Sequence, residues 1–410
     1  MPSDRPNVLL LNSHDSGRFF GCYGVETVRT PAIDRLASDG VVLDAWTAAS
    51  PICSPSRGAM LTGRWPQRNG LLGLTHHGFS LNRGERHAAS IFREAGYRTA
   101  LFHFQHVAGR DEWPDLGFGE YLCRSRDDEY PNYPDMAIPA AEVGDSVAGW
   151  LEAVDPDRPF FAQVNFNETH TPFEFGGVGE DRAKGVTVPD WIERDAVSER
   201  HFALLQGAVA ALDRGIGVIL QALEDRGLAE NTLVVFAADH GLEAGRDKWT
   251  CYESGLGIAG LFRCPALGLS GGRRIAQPLS NVRLLATLLD VCGIPVPDNL
   301  DGAGFLPLLR GEAMEEAPVF SIYHNTGSRS VRVGRWKLIR NFSAEPYGQE
   351  APVRMSGDKA VVPRKPVLLF DLEKDPAELN DLSEAHPAKV AELNRVLGEW
   401  MRAADDPAVV

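Results

Sequence analysis

Residues 202–241, FALLQGAVAALDRGIGVILQALEDRGLAENTLVVFAADHG, decide the fold because they join a helical pattern to a strand pattern. Apolar side chains in 202–227 recur at the spacing of an amphipathic helix. Residues 232–239 form a continuously apolar run, which is typical of a parallel strand covered on both faces. The polar pair Asp239 and His240 ends that run. A helix leading into such a strand predicts an α/β architecture.

The same alternation extends back to the start of the chain. We expect further strands in the apolar runs 7–11, 99–102 and 159–166, and further helices over 30–40 and 87–97. Their sum predicts an α/β sandwich with a mostly parallel central sheet.

The pattern changes at about Pro318. Short segments beyond it resemble antiparallel strands, and 387–402 has the period of an amphipathic helix. We therefore divide the chain into an α/β catalytic domain, 1–317, and a smaller C-terminal α+β subdomain, 318–410, with a short antiparallel sheet.

Composition limits the classes of partner and the compartment. The chain has 410 residues and a formal net charge of −15, which argues against general binding to nucleic acid or anionic membranes. We find no secretory signal pattern, and no apolar stretch near the roughly 20 residues that span a bilayer, so we expect a cytoplasmic protein. Six cysteines without metal-type spacing are too few for a disulfide scaffold. Oligomeric state is not predicted.

Polar clusters follow four of the expected strands. They are NSHD at 12–15, HFQH at 103–106, NETH at 167–170 and ADHG at 238–241. Because ligands gather at the carboxyl ends of parallel strands, we expect the four clusters to share one rim.

Two of these clusters carry paired Asp and His residues. Asp15 with His14, and Asp239 with His240, are suitable ligands for a divalent cation.

Four other segments supply hydrogen-bond donors or positive charge, namely Arg57, His106, His170 and Lys248. If they converge on the metal, they form a trap for a tetrahedral oxyanion. The residues therefore predict metal-assisted hydrolysis of a phosphate- or sulfate-type ester.

The residues alone leave the nucleophile open. A thiolate such as Cys53 matches a hard, oxygen-preferring metal poorly, and no base is evident for Ser54 or Ser56. The two serines could instead cap a helix that begins near Arg57, with Cys53 a packed thiol.

A family resemblance addresses this question. CSPSR at 53–57, followed by GAMLTGR, resembles the signature of the type I sulfatases, in which the cysteine is oxidised to formylglycine. The segments GCYG, TPAIDRLASDGV, FNETHTPF, DKWTCYESG and LLFDLEKDPAELNDL also resemble that family. NGLLGLTHHGFSLN and FQHVAG look closest to the heparan N-sulfatase (sulfamidase) branch and related bacterial enzymes. The family fold is alkaline-phosphatase-like, which agrees with the predicted sandwich.

The resemblance implies a role for each matching residue. Oxidised Cys53, as an aldehyde hydrate, attacks sulfur, the alcohol or amine leaves, and the hydrate then expels sulfate. Arg57 orients the hydrate and His106 assists its deprotonation. His170 and Lys248 hold the sulfate and assist the leaving group. The implied metal ligands are Asp15, Asp239, His240 and oxidised Cys53.

Two positions depart from the family pattern. Relatives usually have Asp-Asp where this chain has His14-Asp15, so His14 either ligates the metal or points away from it. Relatives usually have Lys-x-His where this chain has Phe104 and His106. Either His103 or Gln105 compensates for the missing lysine, or fewer charges hold the sulfate.

The resemblance also implies cofactors and partners. We expect formylglycine at Cys53 and one divalent metal, Ca²⁺ first and Mn²⁺, Mg²⁺ or Zn²⁺ as alternatives, with His14 ligation favouring Mn²⁺ or Zn²⁺. Partners are a small sulfated sugar and, during maturation, a formylglycine-generating enzyme. Further candidates for substrate binding are His76, His77, His103, Gln105 and His324.

Three functions fit these observations. The preferred one is a sulfatase in sulfated-glycan degradation that removes an O-sulfate or an N-sulfate. A phosphonate monoester or phosphodiester hydrolase of the same superfamily is the alternative. A catalytically inactive binding protein is the third, although an intact CSPSR signature argues against it.

Overall fold

The structure, a computed structural model, describes residues 5–123, 138–325, 327–343 and 365–408. Its centre is an eight-stranded sheet with strand order β5-β4-β6-β1-β7-β8-β2-β9, in which only β8 runs antiparallel to its neighbours. The strands that precede residue 300 are β1 (Asn7–Ser13), β2 (Val41–Leu43), β3 (Trp46–Thr47), β4 (Arg98–Phe102), β5 (Glu120–Leu122), β6 (Phe160–Asn165), β7 (Thr232–Ala238), β8 (Gly260–Arg263), β9 (Arg273–Ile275) and β10 (Leu279–Ser280).

Helices flank this sheet, and their apolar faces form the core with it. The helices of the structure are α1 (Pro31–Asp39), α2 (Cys53–Thr62), α3 (Pro66–Asn69), α4 (Ala88–Glu94), α5 (Ala140–Leu151), α6 (Ala196–Asp225), α7 (Glu253–Leu256), α8 (Leu284–Val291), α9 (Leu306–Leu309) and α10 (Pro387–Ala403), of which α10 packs in a separate C-terminal cluster. The predicted α/β sandwich is confirmed, because continuously apolar strands such as β7 are buried along their whole length.

The strand order places the polar clusters side by side. β4, β6, β1 and β7 are consecutive and mutually parallel, so their carboxyl ends lie at one edge of the sheet. Each of the four clusters follows one of these strands, as the sequence predicts.

A second sheet lies in the C-terminal region. It is antiparallel, in the order β11 (Val319–Tyr323), β12 (Ser328–Val333), β13 (Trp336–Asn341) and β14 (Val367–Asp371), and α10 contacts β12 and β13. The main chain of Ile322 donates a hydrogen bond to the Ala49 carbonyl oxygen at 2.8 Å, which links this sheet to the segment before α2. A subdomain boundary at 317/318 remains a prediction.

One helix corrects an expectation about apolar length. By length and composition alone, α6 could cross a membrane, yet 72% of its apolar window is buried inside the fold. It packs on α5 and α1. We interpret α6 as a core helix, since a core helix of this length passes the same test.

Helices α5 and α6 cross at a glycine contact. A Cβ atom on Gly215 would lie 2.4 Å from the carbonyl oxygen of Ala140, and one on Gly144 would lie 2.8 Å from that of Gly215. Neither position has room for a methyl group, so these glycines set the separation of the helices.

Candidate active site

Cys53 is the first residue of α2 and is 2% exposed. The helix thus begins four residues before the Arg57 start that the capping interpretation assumed, and its N-cap Ile52 makes no side-chain cap. The N-terminus of a helix favours an anionic group, because unpaired N–H groups and the helix dipole both point there. Cys53 therefore occupies a position where negative charge is stabilised.

The two nearby serines are held by structural hydrogen bonds. Ser56 Oγ donates to the Asp239 carbonyl oxygen at 2.5 Å and accepts from Asn281 Nδ2 at 2.9 Å. Ser54 Oγ accepts from the Thr75 N–H at 3.3 Å. These bonds explain both serines as links between segments and leave Cys53 as the nucleophile candidate.

Cys53 and four other buried side chains form one group. Their ligand atoms all lie within 4.8 Å of one another, and the residues are His14, Asp15, Cys53, Asp239 and His240. Cys53 Sγ is 3.2 Å from His240 Nε2, which in turn is 2.9 Å from Asp15 Oδ1. Carboxylate oxygens, imidazole nitrogens and this closeness fit a divalent cation. We call this set the ligand cluster.

Backbone donors orient the second carboxylate of the cluster. Asp239 Oδ1 accepts from the N–H groups of Asp15 and His240, each at 2.9 Å. Its Oδ2 accepts from Arg57 Nε at 3.0 Å. Arg57 is 1% exposed and also donates to Asn165 Oδ1 at 2.8 Å and to Asn12. The guanidinium group is thereby fixed beneath the cluster.

Charges within the cluster shift its titrations strongly. Burial by itself would raise the pKa of Asp15, but the positive charge of Lys248 and of neighbouring imidazoles lowers it well below its usual range. Burial likewise opposes ionisation of Cys53, yet Lys248 and the adjacent imidazoles lower the pKa of its thiol well below 9.0. Although burial opposes protonation of His14, the surrounding anionic groups, led by Cys53, raise its pKa to about 9.

Lys248 and His170 lie at Asp15, whereas Arg57 contacts the other carboxylate of the cluster, Asp239. Lys248 Nζ lies 2.6 Å from Asp15 Oδ2, 3.4 Å from His170 Nε2 and 3.7 Å from Glu243 Oε2. Burial, reinforced by the charge of Lys248, lowers the pKa of His170 to about 3, so its imidazole is neutral. The pair offers one fixed cation and one neutral imidazole to an anion at the cluster.

Three residues that the sequence reasoning did not select complete the site. Asn12 and Asn165 hold Arg57, and Glu243 lies close to Lys248 and accepts from Thr171 Oγ1 at 2.6 Å. Asn12 lies in the NSHD cluster that was singled out. Asn165 and Glu243 lie at or just beyond strand ends, so the strand-end rule was the available signal for them.

The remaining predicted residues fall into two groups: histidines linked by ring contacts, and the pair His103 and Gln105. His106 joins the site, with its ring 5.9 Å from that of His14, and the exposed His76 stacks on His106. The ring of the exposed His77 contacts that of His76, and the ring centre of the half-buried His324 lies 6.3 Å from that of Phe79.

His103 and Gln105 are instead held by the main chain. His103 Nδ1 bonds to the Asn165 carbonyl oxygen at 3.2 Å, and Gln105 bonds to the backbone of Val107 and Ala108. These bonds do not support a role for Gln105 in place of the missing lysine. The ring of Phe104 takes that position, 5.5 Å from His14 and 5.1 Å from the Arg57 guanidinium.

Comparison with known proteins identifies the family. The Sulfatase family model matches residues 6–294, so the chain belongs to the sulfatase family. Its named relatives are sulfatases, enzymes that hydrolyse sulfate esters and N-sulfates. An ulvan-active sulfatase from Formosa agariphila is 26% identical, with 98% of this chain and 81% of the relative covered. Human N-sulphoglucosamine sulphohydrolase is 26% identical, with 98% of this chain and 91% of the relative covered. Rat steryl-sulfatase is 27% identical, with 98% of this chain and 89% of the relative covered.

Solved structures show the same fold. A structure in complex with its substrate D-glucosamine-2-N,6-O-disulfate has a TM-score of 0.77 at 18% identity, covering 99% of this chain and 100% of that chain. The phosphonate monoester hydrolase of Agrobacterium radiobacter has a TM-score of 0.74 at 22% identity, covering 99% and 96%. The expected alkaline-phosphatase-like fold is confirmed, and this second likeness extends to the fold alone.

The expectation of a cytoplasmic location is wrong. It depended on finding no export signal in the sequence, whereas relatives such as the ulvan-active and steryl-sulfatases are secreted or lumenal enzymes. The absence of a recognisable signal in this sequence therefore carries no information on compartment.

Proposed function

We propose that this sulfatase removes an O-sulfate or N-sulfate from a sugar, with oxidised Cys53 as its nucleophile. One observation carries the proposal: the side chain of Cys53 lies at a helix N-terminus inside the ligand cluster. Oxidation would replace sulfur by oxygen there, and so convert the one soft donor of the cluster into a hard one.

The chain's own residues fit a metal at this position. Asp15, Asp239, His240 and oxidised Cys53 would hold it, and when bound the cation supplies positive charge against the sulfate oxygens. We propose Ca²⁺ with His14 retained as the hydrogen-bond partner of Asp15, 2.7 Å away. A preference for Mn²⁺ or Zn²⁺ would instead indicate that His14 is a ligand.

Arg57 and His106 act on the nucleophile. Hydrogen bonds to Asp239, Asn12 and Asn165 fix the guanidinium group of Arg57 beside the cluster. There it orients the oxidised side chain of residue 53. In the part of the chain that the structure describes, His106 Nδ1 is buried and without a hydrogen-bond partner. That nitrogen is available to accept the proton of the attacking hydroxyl.

Lys248 and His170 act on the sulfate and the leaving group. Lys248 carries a fixed positive charge, because burial is outweighed by Asp15 and Cys53 and its pKa rises above 10.5. It therefore holds the sulfate and stabilises charge that develops on the leaving oxygen or nitrogen. His170 Nε2, 3.4 Å from the ammonium group, holds that group in place beside the leaving oxygen or nitrogen.

The names of relatives support a carbohydrate substrate. They include an ulvan-active sulfatase, an N-sulphoglucosamine sulphohydrolase and an enzyme solved with D-glucosamine-2-N,6-O-disulfate. At the rim, the exposed His76 and His77 and the half-buried His324 offer imidazole donors to sugar hydroxyls and sulfates. We propose these three residues as sugar contacts, together with a formylglycine-generating enzyme as the maturation partner.

The test is the mass of the peptide that contains Cys53, from protein produced beside a formylglycine-generating enzyme. We expect an aldehyde mass at position 53, together with hydrolysis of an aryl sulfate. Cys53→Ala should lose both, whereas the matched variant Cys22→Ser should keep both, because Cys22 lies outside the ligand cluster. An unmodified thiol in a preparation that still hydrolyses esters, with aryl phosphonate preferred, would refute the proposal.

A further inference from the structure

One C-terminal residue, Glu378, contacts both ends of the loop that carries Lys248. We call residues 246–253 the lysine loop. At its start, Arg246 Nη1 donates to the Glu378 carbonyl oxygen at 2.7 Å, and Nη2 donates to that of Ala377. At its end, the Glu253 N–H donates to Glu378 Oε2 at 2.5 Å. A single residue, more than a hundred positions away in sequence, therefore closes the loop at both ends.

Glu378 is itself held in a demanding position. It is 2% exposed and its φ is +52°, a backbone conformation that residues other than glycine adopt only where surrounding contacts enforce it. Its Oε1 lies 3.0 Å from Lys337 Nζ, and Lys337, on β13, is 1% exposed. The same ammonium group lies 3.0 Å from Glu253 Oε1. Lys337 thus joins Glu378 to the end of the lysine loop within a buried ionic cluster.

The interior of the loop depends on these anchors for its placement. The Lys248 N–H donates to the Leu242 carbonyl oxygen at 2.8 Å, and the Trp249 N–H donates to that of Pro51 at 3.1 Å. The φ of Trp249 is +74°, a second strained backbone position within the loop. Strain of this kind persists only while both ends of the loop are fixed.

We infer that Glu378, supported by Lys337, is a positioning residue for Lys248. The inference rests on the proposed role of Lys248 at the sulfate. The ammonium group of Lys248 lies 2.6 Å from Asp15 Oδ2 and 3.4 Å from His170 Nε2. A small displacement would therefore take it away from the place where it would hold the sulfate. Misplacement of a catalytic group by about 1 Å can reduce the rate roughly 100-fold. The antiparallel C-terminal sheet therefore contributes to the reaction through the loop.

The experiment compares Glu378→Gln with Asp406→Asn. Asp406 forms a buried two-bond ion pair with Arg329, both bonds being 2.6 Å, and among the described residues no hydrogen bond or ion pair joins it to the lysine loop. Both variants remove one buried carboxylate charge from the C-terminal region. If Glu378→Gln does not fold, Arg246→Lys replaces it, because a lysine cannot donate to two carbonyl oxygens in the same forked geometry.

Two measurements are made on each variant with formylglycine content at position 53 matched. For Glu378→Gln we expect faster amide hydrogen exchange in residues 246–253 and a kcat lowered roughly 10- to 100-fold, with a smaller change in KM. Asp406→Asn should lower Tm and leave both quantities near wild type.

Three results would overturn the inference. Unchanged exchange in the loop would show that Glu378 does not anchor it. An equal loss of kcat in Asp406→Asn would show a general stability effect. Faster exchange with unchanged kcat would show that the anchor exists while Lys248 lacks the role proposed for it, a failure of the proposed function that the exchange data distinguish from a failure of the anchor.

Discussion

At the scale of single residues, the two departures from the sulfatase pattern lie next to each other. The rings of His14 and Phe104 are 5.5 Å apart. Histidine in place of aspartate removes a negative charge, and phenylalanine in place of lysine removes a positive one. Because the two side chains are neighbours and the pKa of His14 is raised to about 9, we interpret them as a single exchange in which the His14 imidazolium supplies the positive charge that the lysine would carry. A lysine at 104 would also face the Arg57 guanidinium, now 5.1 Å from the Phe104 ring.

This interpretation predicts strong coupling between the two positions. Phe104→Lys alone should lower the free energy of unfolding, since it buries an ammonium group beside Arg57 and His14. His14→Asp together with Phe104→Lys should recover part of that loss, with a coupling energy of about 0.5–3 kcal/mol. Urea denaturation of the two single variants, the double variant and wild type gives the coupling. Effects that add to within the measurement error would contradict the interpretation.

A second prediction concerns His87, the N-cap of α4. Its Nδ1 accepts from the Ala89 N–H at 3.1 Å, and burial lowers the pKa of the imidazole to about 3. Between pH 6.5 and about 3 the unfolded chain therefore binds more protons at this residue than the folded chain does. Stability from the neutral imidazole is full above pH 6.5 and is lost as the pH falls.

The matched variant is His87→Asn, which keeps a cap acceptor that does not titrate. From pH 7.5 to pH 5, wild type should lose about 2 kcal/mol of unfolding free energy relative to the variant, at about 1.4 kcal/mol per pH unit below 6.5. Urea titrations at both pH values measure the difference. Parallel pH profiles for the two proteins would disprove the assignment.

At the scale of elements, the crossing of α5 and α6 depends on an absent side chain. Glycine lowers helix stability by about 1 kcal/mol relative to alanine, so Gly215 in the middle of α6 opposes local propensity. The close approach of the Ala140 carbonyl oxygen accounts for it. Packing between the helices therefore outweighs propensity at this position.

Alanine substitutions should separate these two effects. Gly215→Ala should lower the free energy of unfolding by about 1–3 kcal/mol, because the added methyl group forces the helices apart. Gly149→Ala in α5, where a Cβ would meet nothing within 4 Å, should raise it by about 0.5–1 kcal/mol. Thermal and urea unfolding measure both. Stabilisation by both substitutions would mean that the crossing tolerates a wider spacing.

The elements also show where prediction from sequence succeeds and where it stops. β1, β4, β6 and β7 were predictable because buried parallel strands are continuously apolar, and their order then brings the polar clusters together. The start of α2 was left open by the sequence, because Ser54 and Ser56 look like caps but bond to distant segments. Contacts between remote positions, such as Asn165 with Arg57, leave no periodic trace in a single sequence.

At the scale of the whole molecule, the excess of acidic residues contrasts with the composition of the site. The chain carries a net charge of −15, yet Arg57 and Lys248 are almost fully buried beside the ligand cluster. Asp15 and Asp239 balance them within the same cluster. A divalent cation held by the ligand cluster would add the charge that attracts an anionic substrate into an acidic protein.

Metal binding should therefore be visible as global stability. A cation that binds only the folded state adds about 2.7 kcal/mol at a hundred times its Kd. We expect EDTA to lower Tm and Ca²⁺ to restore it, with the order of Ca²⁺, Mn²⁺ and Zn²⁺ reporting on His14. Asp239→Asn should abolish the response, and Asp44→Asn, at the surface pair with Arg274, should keep it. A Tm insensitive to chelator and to all three metals would contradict a metal in the ligand cluster.

The strand order has a consequence in time. β1 is flanked by β6 and β7, so the sheet beneath Cys53 is incomplete until Ala238 has been synthesised. About 185 residues separate that point from Cys53, which is roughly 10 to 40 s of translation at 5–20 residues per second. During that interval the strands that flank β1 are not both present, whereas in the finished protein Cys53 is 2% exposed. For the proposed maturation enzyme, the topology thus sets a period in which Cys53 would be modified before the fold encloses it.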